Sequence, residues 1–313
     1  MFTNFNIAKN LLAIGITVVI VYLVFFLHLD FNKNRILPQV WNLGHILLFI
    51  GIAYLLERKI FSKFVCSIFF EWFSILAISI SLGLVIEYLQ VLTGRDKSSY
   101  DVLLDLVGGM IGFILFSTKL HKLNSRTISM IRIVGTAFTL VAVSPAIIII
   151  VDAVNQRKSF PILLENGSML ELSRIRKQQV KLGITRTSDK NMLNVTFMKD
   201  KYPTIGLKYF NNDWSEYKFL KTLIYNHQKE QLPIRIRLHD TIHRLNGFLF
   251  ADRYRGEVKL EPGWNDVTID LNKVKEAPAK RQMDMKSIEE LMFFMVNVQS
   301  GLKLSFGKVW LEK

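Results

Sequence analysis

A dense group of polar residues interrupts the largely apolar segment GLVIEYLQVLTGRDKSSYDVLLDLVGGMIG, residues 83–112. Five side chains form this group: Glu87, Gln90, Arg95, Asp101 and Asp105. Polar groups are costly in hydrocarbon and mark a functional site by default when they occur there. Together with His45, the carboxylates could transfer protons or hold a divalent ion, and the same group could bind a polar headgroup.

Membrane-spanning helices are the elements that must position these residues. A spanning helix needs about 20 mostly apolar residues. The sequence predicts five such helices, over residues 8–27, 37–56, 64–92, 102–116 and 133–151. The first is predicted to be an uncleaved anchor, because no small-residue cleavage site follows its long apolar run. Pro145 is predicted to kink the fifth.

The distribution of basic residues predicts the orientation of these spans, because short loops rich in Lys and Arg stay in the cytoplasm. With the amino terminus inside, the inner side receives eight basic residues: Lys9, Arg58, Lys59, Lys63, Lys119, Lys122, Arg126 and Arg132. The outer side receives four: Lys33, Arg35, Arg95 and Lys97. Five crossings then put everything after Asp152 outside the cytoplasm.

This orientation brings the polar residues to a similar level at the outer ends of three helices. Asp101, Asp105, Gly108 and Gly112 follow one another at spacings of four, three and four residues, which keeps them on one helix face. The two glycines are predicted to form a helix-packing seam. Above the seam we predict an outer-leaflet polar pocket, formed by His45, Glu87, Gln90, Arg95, Asp101 and Asp105.

The pocket residues also have purely structural interpretations. Asp101 could be the amino-terminal cap of its helix, a role that is compatible with ligand binding. His45 could be a buried histidine whose hydrogen bonds serve helix packing. Arg95 could belong to a solvated loop.

The pattern of these residues resembles the VanZ-like family of bacterial membrane proteins. The resemblance rests on His45 within WNLGHILLFIGIAYLL and on Glu87, Gln90, Gly94, Arg95, Asp101, Asp105, Gly108 and Gly112. Two features depart from the family pattern. Trp41 and Asn42 stand where an acidic-basic pair is often found, and Asp105 replaces a common Asn, which makes the pocket more acidic. The family's namesake is associated with teicoplanin resistance, so the resemblance implies a bacterial envelope protein.

The second half of the chain is basic and has the alternating pattern of β-strands. Up to Asn155 there are 12 Lys and Arg against 8 Asp and Glu, and after it 28 against 18. The segments LPIRIRLHD, NDVTIDL and GLKLSFGKVWLE alternate apolar and polar residues, which predicts an antiparallel sandwich. A basic exposed domain favours anionic surroundings such as phospholipid headgroups or acidic glycans, or it simply keeps the domain soluble.

Residues 192–313 resemble the carbohydrate-binding-like jelly rolls of bacterial envelope proteins, through strings such as PIRIRLHDTIH and ADRYRGEVKLEPGWNDVTIDL. The resemblance implies a ligand face or rim with aromatic and polar groups, for which the candidates are His239, Asp240, His243, Asp252, Arg253 and Tyr254. Trp214 and Trp264 are predicted to pack in the core or in turns, because they adjoin strand starts. No metal site is predicted, because His239 and His243 lack a third ligand at a persuasive spacing.

The sequence therefore predicts a multi-domain fold, an α-helical transmembrane bundle of five helices followed by an all-β antiparallel sandwich or jelly roll. The predicted domains are a VanZ-like four-helix domain (1–120), a fifth helix with a linker (121–158) and an extracytoplasmic sandwich (159–313). Cys66 is the single cysteine, which excludes an intrachain disulfide and a thiolate-rich zinc site.

The predicted function is recognition of an envelope glycan or lipid-linked glycan at the bacterial inner membrane, through the pocket and the tethered domain. Membrane lipids and this glycan are the predicted partners, and no cofactor is predicted. Nucleic-acid binding is rejected, because the basic half lies outside the cell membrane. The alternatives are an enzyme that modifies a lipid headgroup with His45, Glu87 and Asp101, and a membrane-anchored sensor or assembly partner. No nucleophile elbow, phosphate loop or zinc spacing supports the enzyme.

Overall fold

A computed structural model describes residues 35–92, 98–165, 169–186 and 191–313 of the chain. The chain divides into two compact units, Met1–Ile147 and Ile148–Lys313, with the boundary inside the last long helix. The described part of the first unit is helical, and the second unit is dominated by β-strands. The predicted order of a helical region followed by antiparallel strands is therefore confirmed.

Four helices within the described residues are long and apolar enough to cross a bilayer. They are α1 (Ile36–Leu56), which a π-helical turn (Glu57–Phe61) extends, α2 (Ile68–Leu92), α3 (Ser99–Phe116) and α4 (Ser125–Ser159). A short 3-10 turn (Leu120–Lys122) lies between α3 and α4. These helices correspond to the second to fifth predicted spans. The first predicted span, residues 8–27, lies outside the described residues, so a count of five is not confirmed.

Two of these helices are longer than the hydropathy pattern predicts. Helix α3 begins at Ser99 rather than near residue 102, and α4 extends over 35 residues instead of residues 133–151. Hydropathy detects the apolar part of a helix, whereas capping and backbone hydrogen bonding decide where a helix begins and ends. Helix α4 continues through Pro145, and the predicted kink there stays a prediction.

Helix α3 packs against both α1 and α2 and has the largest buried share of the four helices. Gly108 and Gly112 face α1. A Cβ atom on Gly108 would stand 2.6 Å from the carbonyl oxygen of Ile46, and one on Gly112 would collide with the side chain of Ala53. Gly109 faces α2 in the same close manner. Small residues thus let α3 approach both neighbours, as they do at other helix contacts in membranes.

The second unit is a sandwich of two antiparallel sheets. Its strands are β1 (Ile162–Leu164), β2 (Ile175–Gln178), β3 (Val180–Arg186), β4 (Asn191–Phe197), β5 (Thr204–Lys208), β6 (Phe219–Asn226), β7 (Leu232–Asp240), β8 (Tyr254–Leu260), β9 (Gly263–Asp270), β10 (Ile288–Phe294) and β11 (Leu302–Glu312). Two short helices, α5 (Thr241–Leu245) and α6 (Leu271–Glu276), and a 3-10 turn (Glu171–Arg174) complete the unit. The six-stranded sheet has the order β3-β4-β11-β6-β9, with β1 also paired to β11, and the five-stranded sheet has the order β2-β5-β10-β7-β8.

A hydrophobic core fills the space between the two sheets. Ile234 and Ile236 of β7 and Val267 of β9 are buried in it, as the alternating pattern predicts. In β11 the register shifts between Phe306 and Val309, so both side chains reach the core although three positions separate them. The antiparallel sandwich is confirmed, and every member of this core lies between residues 163 and 311.

Candidate functional site

A cluster of buried charged side chains forms where three helices of the first unit meet. His45 on α1, Glu87 on α2 and both Asp101 and Asp105 on α3 are each at most 7% exposed. His45 Nδ1 lies 2.8 Å from Asp105 Oδ1, and His45 Nε2 lies 3.8 Å from Asp101 Oδ2. Glu87 Oε2 accepts a hydrogen bond of 2.7 Å from the backbone N–H of Ser98. Four of the predicted pocket residues are thus brought together.

Several carboxylate oxygens of this cluster have no hydrogen-bond partner among the described residues. They are Glu87 Oε1, Asp101 Oδ1 and Asp105 Oδ2. One ligand atom each from His45, Glu87 and Asp101 can be chosen so that all three lie within 4.8 Å of one another. This arrangement can accept protons or hold a cation, and it has the donor types that the sequence predicts for either role.

The remaining pocket residues are less completely described. Gln90 lies on α2 one turn after Glu87 and is 2% exposed. Arg95 belongs to residues 93–97, which are outside the described part of the chain.

The structure corrects the capping role considered for Asp101. Helix α3 has Ser98 as its N-cap, and the Ser98 hydroxyl oxygen accepts a hydrogen bond of 3.2 Å from the backbone N–H of Asp101. Asp101 itself lies in the first turn, where a negative charge interacts favourably with the helix dipole. The sequence contains the signal for this arrangement, because Ser98 and Asp101 have the Ser-x-x-Asp spacing of a capping box.

In the sandwich, predicted glycan-binding residues form a buried hydrogen-bond network. Asp240 is fully buried at the end of β7 and accepts four hydrogen bonds. Two come from the Arg281 guanidinium, at 2.5 and 2.8 Å, and two come from the backbone N–H groups of His243 and Asp284, at 2.9 and 2.7 Å. Arg281 also donates two hydrogen bonds to Asp252, at 2.6 and 3.0 Å. Asp240 and Asp252 therefore hold loops together and do not form an open ligand surface.

The same network sets the protonation of its carboxyl groups. Burial raises the pKa of Asp240, but the hydrogen bonds from Arg281 and from backbone N–H groups outweigh burial, so the pKa lies below its ordinary value. The hydrogen bonds from Arg281 likewise lower the pKa of Asp252. Both groups are therefore carboxylates at neutral pH.

The two histidines of the predicted ligand face are interior groups. His239 and His243 are 1% and 0% exposed, and their ring centroids are 4.9 Å apart. Burial, together with the nearby charge of Arg237, lowers the pKa of His239 to about 3. Burial also lowers the pKa of His243. Both rings are neutral at physiological pH and pack inside the sandwich.

Arg253 and Tyr254 retain some exposed surface. Both are half-buried, and Tyr254 packs against the edge of the core. The Arg253 guanidinium lies 5.0 Å from the ring centroid of Phe250, and that of Arg255 lies 3.7 Å from the same ring. Phe250 is 62% exposed, so this loop presents an aromatic ring with two cations close to it.

The two tryptophans of the sandwich occupy different environments. Trp214 is fully buried in the core, and its Nε1–H donates to the carbonyl oxygen of Asn211 at 2.9 Å. Trp264 is 52% exposed, so it does not pack in the core, and its packing in a turn stays a prediction. The alternation that buries Val267 and Ile269 of β9 turns residue 264 to the opposite, outer face.

An exposed aromatic group lies on this outer face of the six-stranded sheet. Trp264 on β9 pairs in register with Tyr225 on β6, and their rings meet edge to face with centroids 5.2 Å apart. The ring of His227 also meets Tyr225 edge to face, with the centroids 4.7 Å apart. Three rings therefore stand side by side at one end of the sheet.

A chain of polar side chains continues from these rings across the same face. His227 Nε2 lies 2.7 Å from the Ser305 hydroxyl, which donates to Asn194 Oδ1 at 2.5 Å. Asn194 Nδ2 in turn donates to the Thr185 hydroxyl. Because Ser305 donates onward, it accepts from His227, which requires the tautomer with the proton on Nε2. Burial and the charge of Lys303 lower the pKa of His227, which favours this neutral ring.

Sequence reasoning missed this outer face. Asn194, Ser305 and Tyr225 come from β4, β11 and β6, and they form one row across the sheet with Trp264. In its own strand, each of these residues occupies one of the alternate positions that point outward, and the alternating pattern of the sequence indicates this. The strand order that aligns them joins positions more than a hundred residues apart, and no local pattern gives it.

No protein-family model matches the sequence, and no curated protein matches it. The VanZ-like resemblance therefore stays a prediction. Among solved structures, the chain is similar to the family 11 carbohydrate-binding module of Clostridium thermocellum in complex with a β-1,3-1,4-mixed-linked tetrasaccharide, with 14% identity and a TM-score of 0.39 over 48% of this chain and 94% of that chain. It is similar to the family 30 module of a cellulosomal cellulase of the same organism, with 14% identity and a TM-score of 0.38 over 49% of this chain and 96% of that chain. It is also similar to a carbohydrate-binding module of family 28 that is specific for non-crystalline cellulose, with 13% identity and a TM-score of 0.36 over 49% of this chain and 93% of that chain. At these values the matches give no ligand for this chain.

Proposed function

We propose that the chain is a membrane-anchored glycan-binding protein that holds sugar on the outer face of its six-stranded sheet. The observation that supports this proposal is the exposed Trp264, 52% accessible, which is braced edge to face by Tyr225. Tryptophan is highly buried on average, and exposed aromatic side chains are enriched where proteins bind partners. A braced, exposed indole is therefore a binding surface.

The chemistry of this face suits a carbohydrate. A pyranose ring has an apolar C–H face that can lie on an aromatic ring, and hydroxyl groups around its edge that donate and accept hydrogen bonds. Trp264 and Tyr225 offer the aromatic surface. His227 and Asn194 offer donors and acceptors beside it, and both are already oriented by hydrogen bonds to the buried Ser305 hydroxyl. These two polar side chains lose little further freedom on binding, which favours affinity.

The glycan that we propose is an envelope polymer or the sugar part of a lipid-linked precursor in bacteria. The excess of Lys and Arg in the predicted inner loops supports a bacterial inner-membrane protein whose sandwich lies outside the cytoplasm. The polar cluster of the helical unit would then face the outer leaflet and serve the same glycan-carrying molecule. A reporter fused after Lys313 tests the orientation, and activity of a cytoplasmic reporter at that position would contradict it.

A glycan array probed with the full chain in detergent tests the proposed surface. Trp264→Ala and Tyr225→Ala should each weaken binding by about 30-fold, because truncation of a central aromatic anchor costs about 2 kcal/mol. Phe250→Ala is the matched control, since Phe250 is 62% exposed, against 52% for Trp264, but lies on the loop before β8. It should bind like the unchanged protein.

The control also separates the two aromatic surfaces of the sandwich. Loss of sugar binding in Phe250→Ala, with full binding in Trp264→Ala, would move the glycan site to the loop beside Arg253. Absence of binding to every glycan by the unchanged chain, with binding to an envelope protein instead, would support the sensor or assembly role.

A further inference from the structure

We infer that the buried cluster of the helical unit is a binding site for a divalent transition-metal ion, with His45, Glu87 and Asp101 as its ligands. These three residues come from α1, α2 and α3, so the ion would join three helices. The inference does not depend on the glycan surface proposed for the sandwich, because that surface is made of other residues in the other unit of the chain.

The first argument is the charge of the cluster. Three carboxyl groups and one imidazole share a space in which each residue is at most 7% exposed. Within the described residues, the ion pairs of these carboxyl groups run to His45, at 2.8 Å from Asp105 and 3.8 Å from Asp101. One imidazole ring accompanies three carboxyl groups here, and buried charges are stable when they are paired or bound to metal. A divalent cation would pair with the carboxylates of this group.

The second argument is the set of unsatisfied oxygens. Glu87 Oε1 and Asp101 Oδ1 are buried and have no hydrogen-bond partner in the described part of the chain. A buried polar atom without a partner is rare in proteins and points to an unseen ion or water. Glu87 and Asp101 are also two of the three residues, with His45, from which one ligand atom each can be chosen within 4.8 Å of the others. Ligand atoms at about 2.0–2.2 Å from one ion are at most about 4.4 Å apart, so a small movement of these side chains would close the group on an ion.

The third argument is the orientation of His45. Its Nδ1 is engaged by Asp105 Oδ1 at 2.8 Å, which leaves Nε2 on the side of Asp101. Metal-binding histidines almost always donate their second ring N–H to a carboxylate or carbonyl, which fixes the ring and its tautomer. Asp105 is thus a positioning residue. Gly83 of α2 makes room for it, because a Cβ atom there would lie 2.5 Å from Asp105 Oδ2.

The donor set indicates the class of metal. Mg²⁺ and Ca²⁺ prefer sites made entirely of oxygen, whereas an imidazole favours Zn²⁺ and its transition-metal neighbours. Imidazole nitrogen and carboxylate oxygen are both Zn²⁺ ligands, and three protein ligands leave a coordination position open. Zn²⁺ is therefore the expected ion, with Mn²⁺ as the weaker alternative.

The test uses the full chain purified in detergent, stripped with chelator and titrated calorimetrically with ZnCl2. The unchanged chain should bind one Zn²⁺ and should prefer it to Mg²⁺. Glu87→Gln and Asp101→Asn should each lose more than about 100-fold in affinity, and Asp105→Asn about 10–100-fold, as expected for a residue that orients a ligand.

Glu57→Gln is the matched control. Glu57 is also a buried carboxyl group on the α1 segment, 4% exposed, and it accepts hydrogen bonds from Thr118 that a glutamine oxygen can accept as well. It lies 12 residues from His45, about 18 Å along the helix, and should bind Zn²⁺ like the unchanged chain.

Thermal unfolding of each metal-free variant shows whether the variant is still folded, so that a loss of Zn²⁺ binding is not caused by unfolding. Variants that unfold like the metal-free parent, but gain no stability from added ZnCl2, support the site. The inference is overturned if the parent binds Zn²⁺ more weakly than about 1 mM, or if Glu57→Gln reduces binding as much as Glu87→Gln. If a variant does not fold, the affinities of the parent for Zn²⁺ and Mg²⁺ are compared instead. Equal affinity for the two ions would also overturn the inference.

Discussion

Arg281→Met should destabilise the sandwich by about 3 kcal/mol. The substitution removes five hydrogen bonds, two to Asp240, two to Asp252 and one to the carbonyl oxygen of Gln282. Asp240 is fully buried and keeps two backbone donors, but it loses its counter-charge. Breaking a buried ion pair on one side costs about 3–5 kcal/mol, and the lower end applies because the Arg281 side chain is 20% exposed.

Urea unfolding of the domain that begins at Ser159 measures this effect. The domain contains every member of the sandwich core, including Trp214, whose fluorescence reports unfolding. Arg235→Met is the control, because Arg235 pairs with Glu257 at 2.9 Å but both side chains are nearly half exposed. Such a surface pair contributes about 0–1 kcal/mol.

The pH dependence gives a second readout of the same network. The folded-state pKa values of Asp240 and Asp252 lie below their ordinary values. Their stabilisation is therefore fully present above the unfolded-state pKa of about 3.9 and is lost as the pH falls below it. The difference in free energy of unfolding between the parent and Arg281→Met should therefore become smaller in acid. If Arg281→Met and Arg235→Met unfold within about 1 kcal/mol of each other at neutral pH, the reasoning is refuted.

Two further predictions concern other parts of the molecule. Gly108→Ala should lower the stability of the helical unit by about 1–3 kcal/mol, because its Cβ would press on the α1 backbone. Gly51→Ala is the control and should leave the stability unchanged, because a Cβ atom there would have nothing within 4 Å. Equal melting temperatures of the two variants in detergent would contradict the close packing of α3 on α1 at Gly108. His239, whose pKa falls to about 3 on folding, should make the sandwich less stable as the pH drops from about 6.5, because the unfolded chain takes up a proton that the folded chain does not. The slope reaches about 1.4 kcal/mol per pH unit, and His239→Gln should flatten it in urea titrations; an unchanged slope would argue against a neutral buried ring.

The helical site was more predictable than the sandwich site, for a physical reason. Glu87, Asp101 and Asp105 lie within 19 residues, and regular helix geometry alone determines which of them share a face. His45 follows because polar groups in a helix bundle turn towards one another and away from lipid. The start of α3 at Ser99 was missed because its cap is polar and lies outside the apolar window.

In the sandwich, the alternating pattern predicts which residues point into the core. It does not predict which outward-pointing residues lie next to one another on the surface. The partner of Asp240 is Arg281, 41 positions further along the chain, and nothing in either segment indicates the pairing. The same holds for the row from Asn194 to Trp264, which depends on strand order and register. Polar residues such as Asp240 resemble ligand-binding groups in sequence whether they face a ligand or an internal arginine.

The position of α3 between α1 and α2 has a consequence for biosynthesis. Asp101 and Asp105 lie in the first half of α3, and an aspartate in a spanning helix costs up to about 2.5–3.5 kcal/mol at the translocon, the value for the helix centre. The groups that offset this cost, His45 and the close-packing surface of α1, are translated earlier. When α3 leaves the ribosome its partners are already available, so its integration depends on prior helices. Deleting residues 36–56 should leave α3 outside the bilayer although its own sequence is intact.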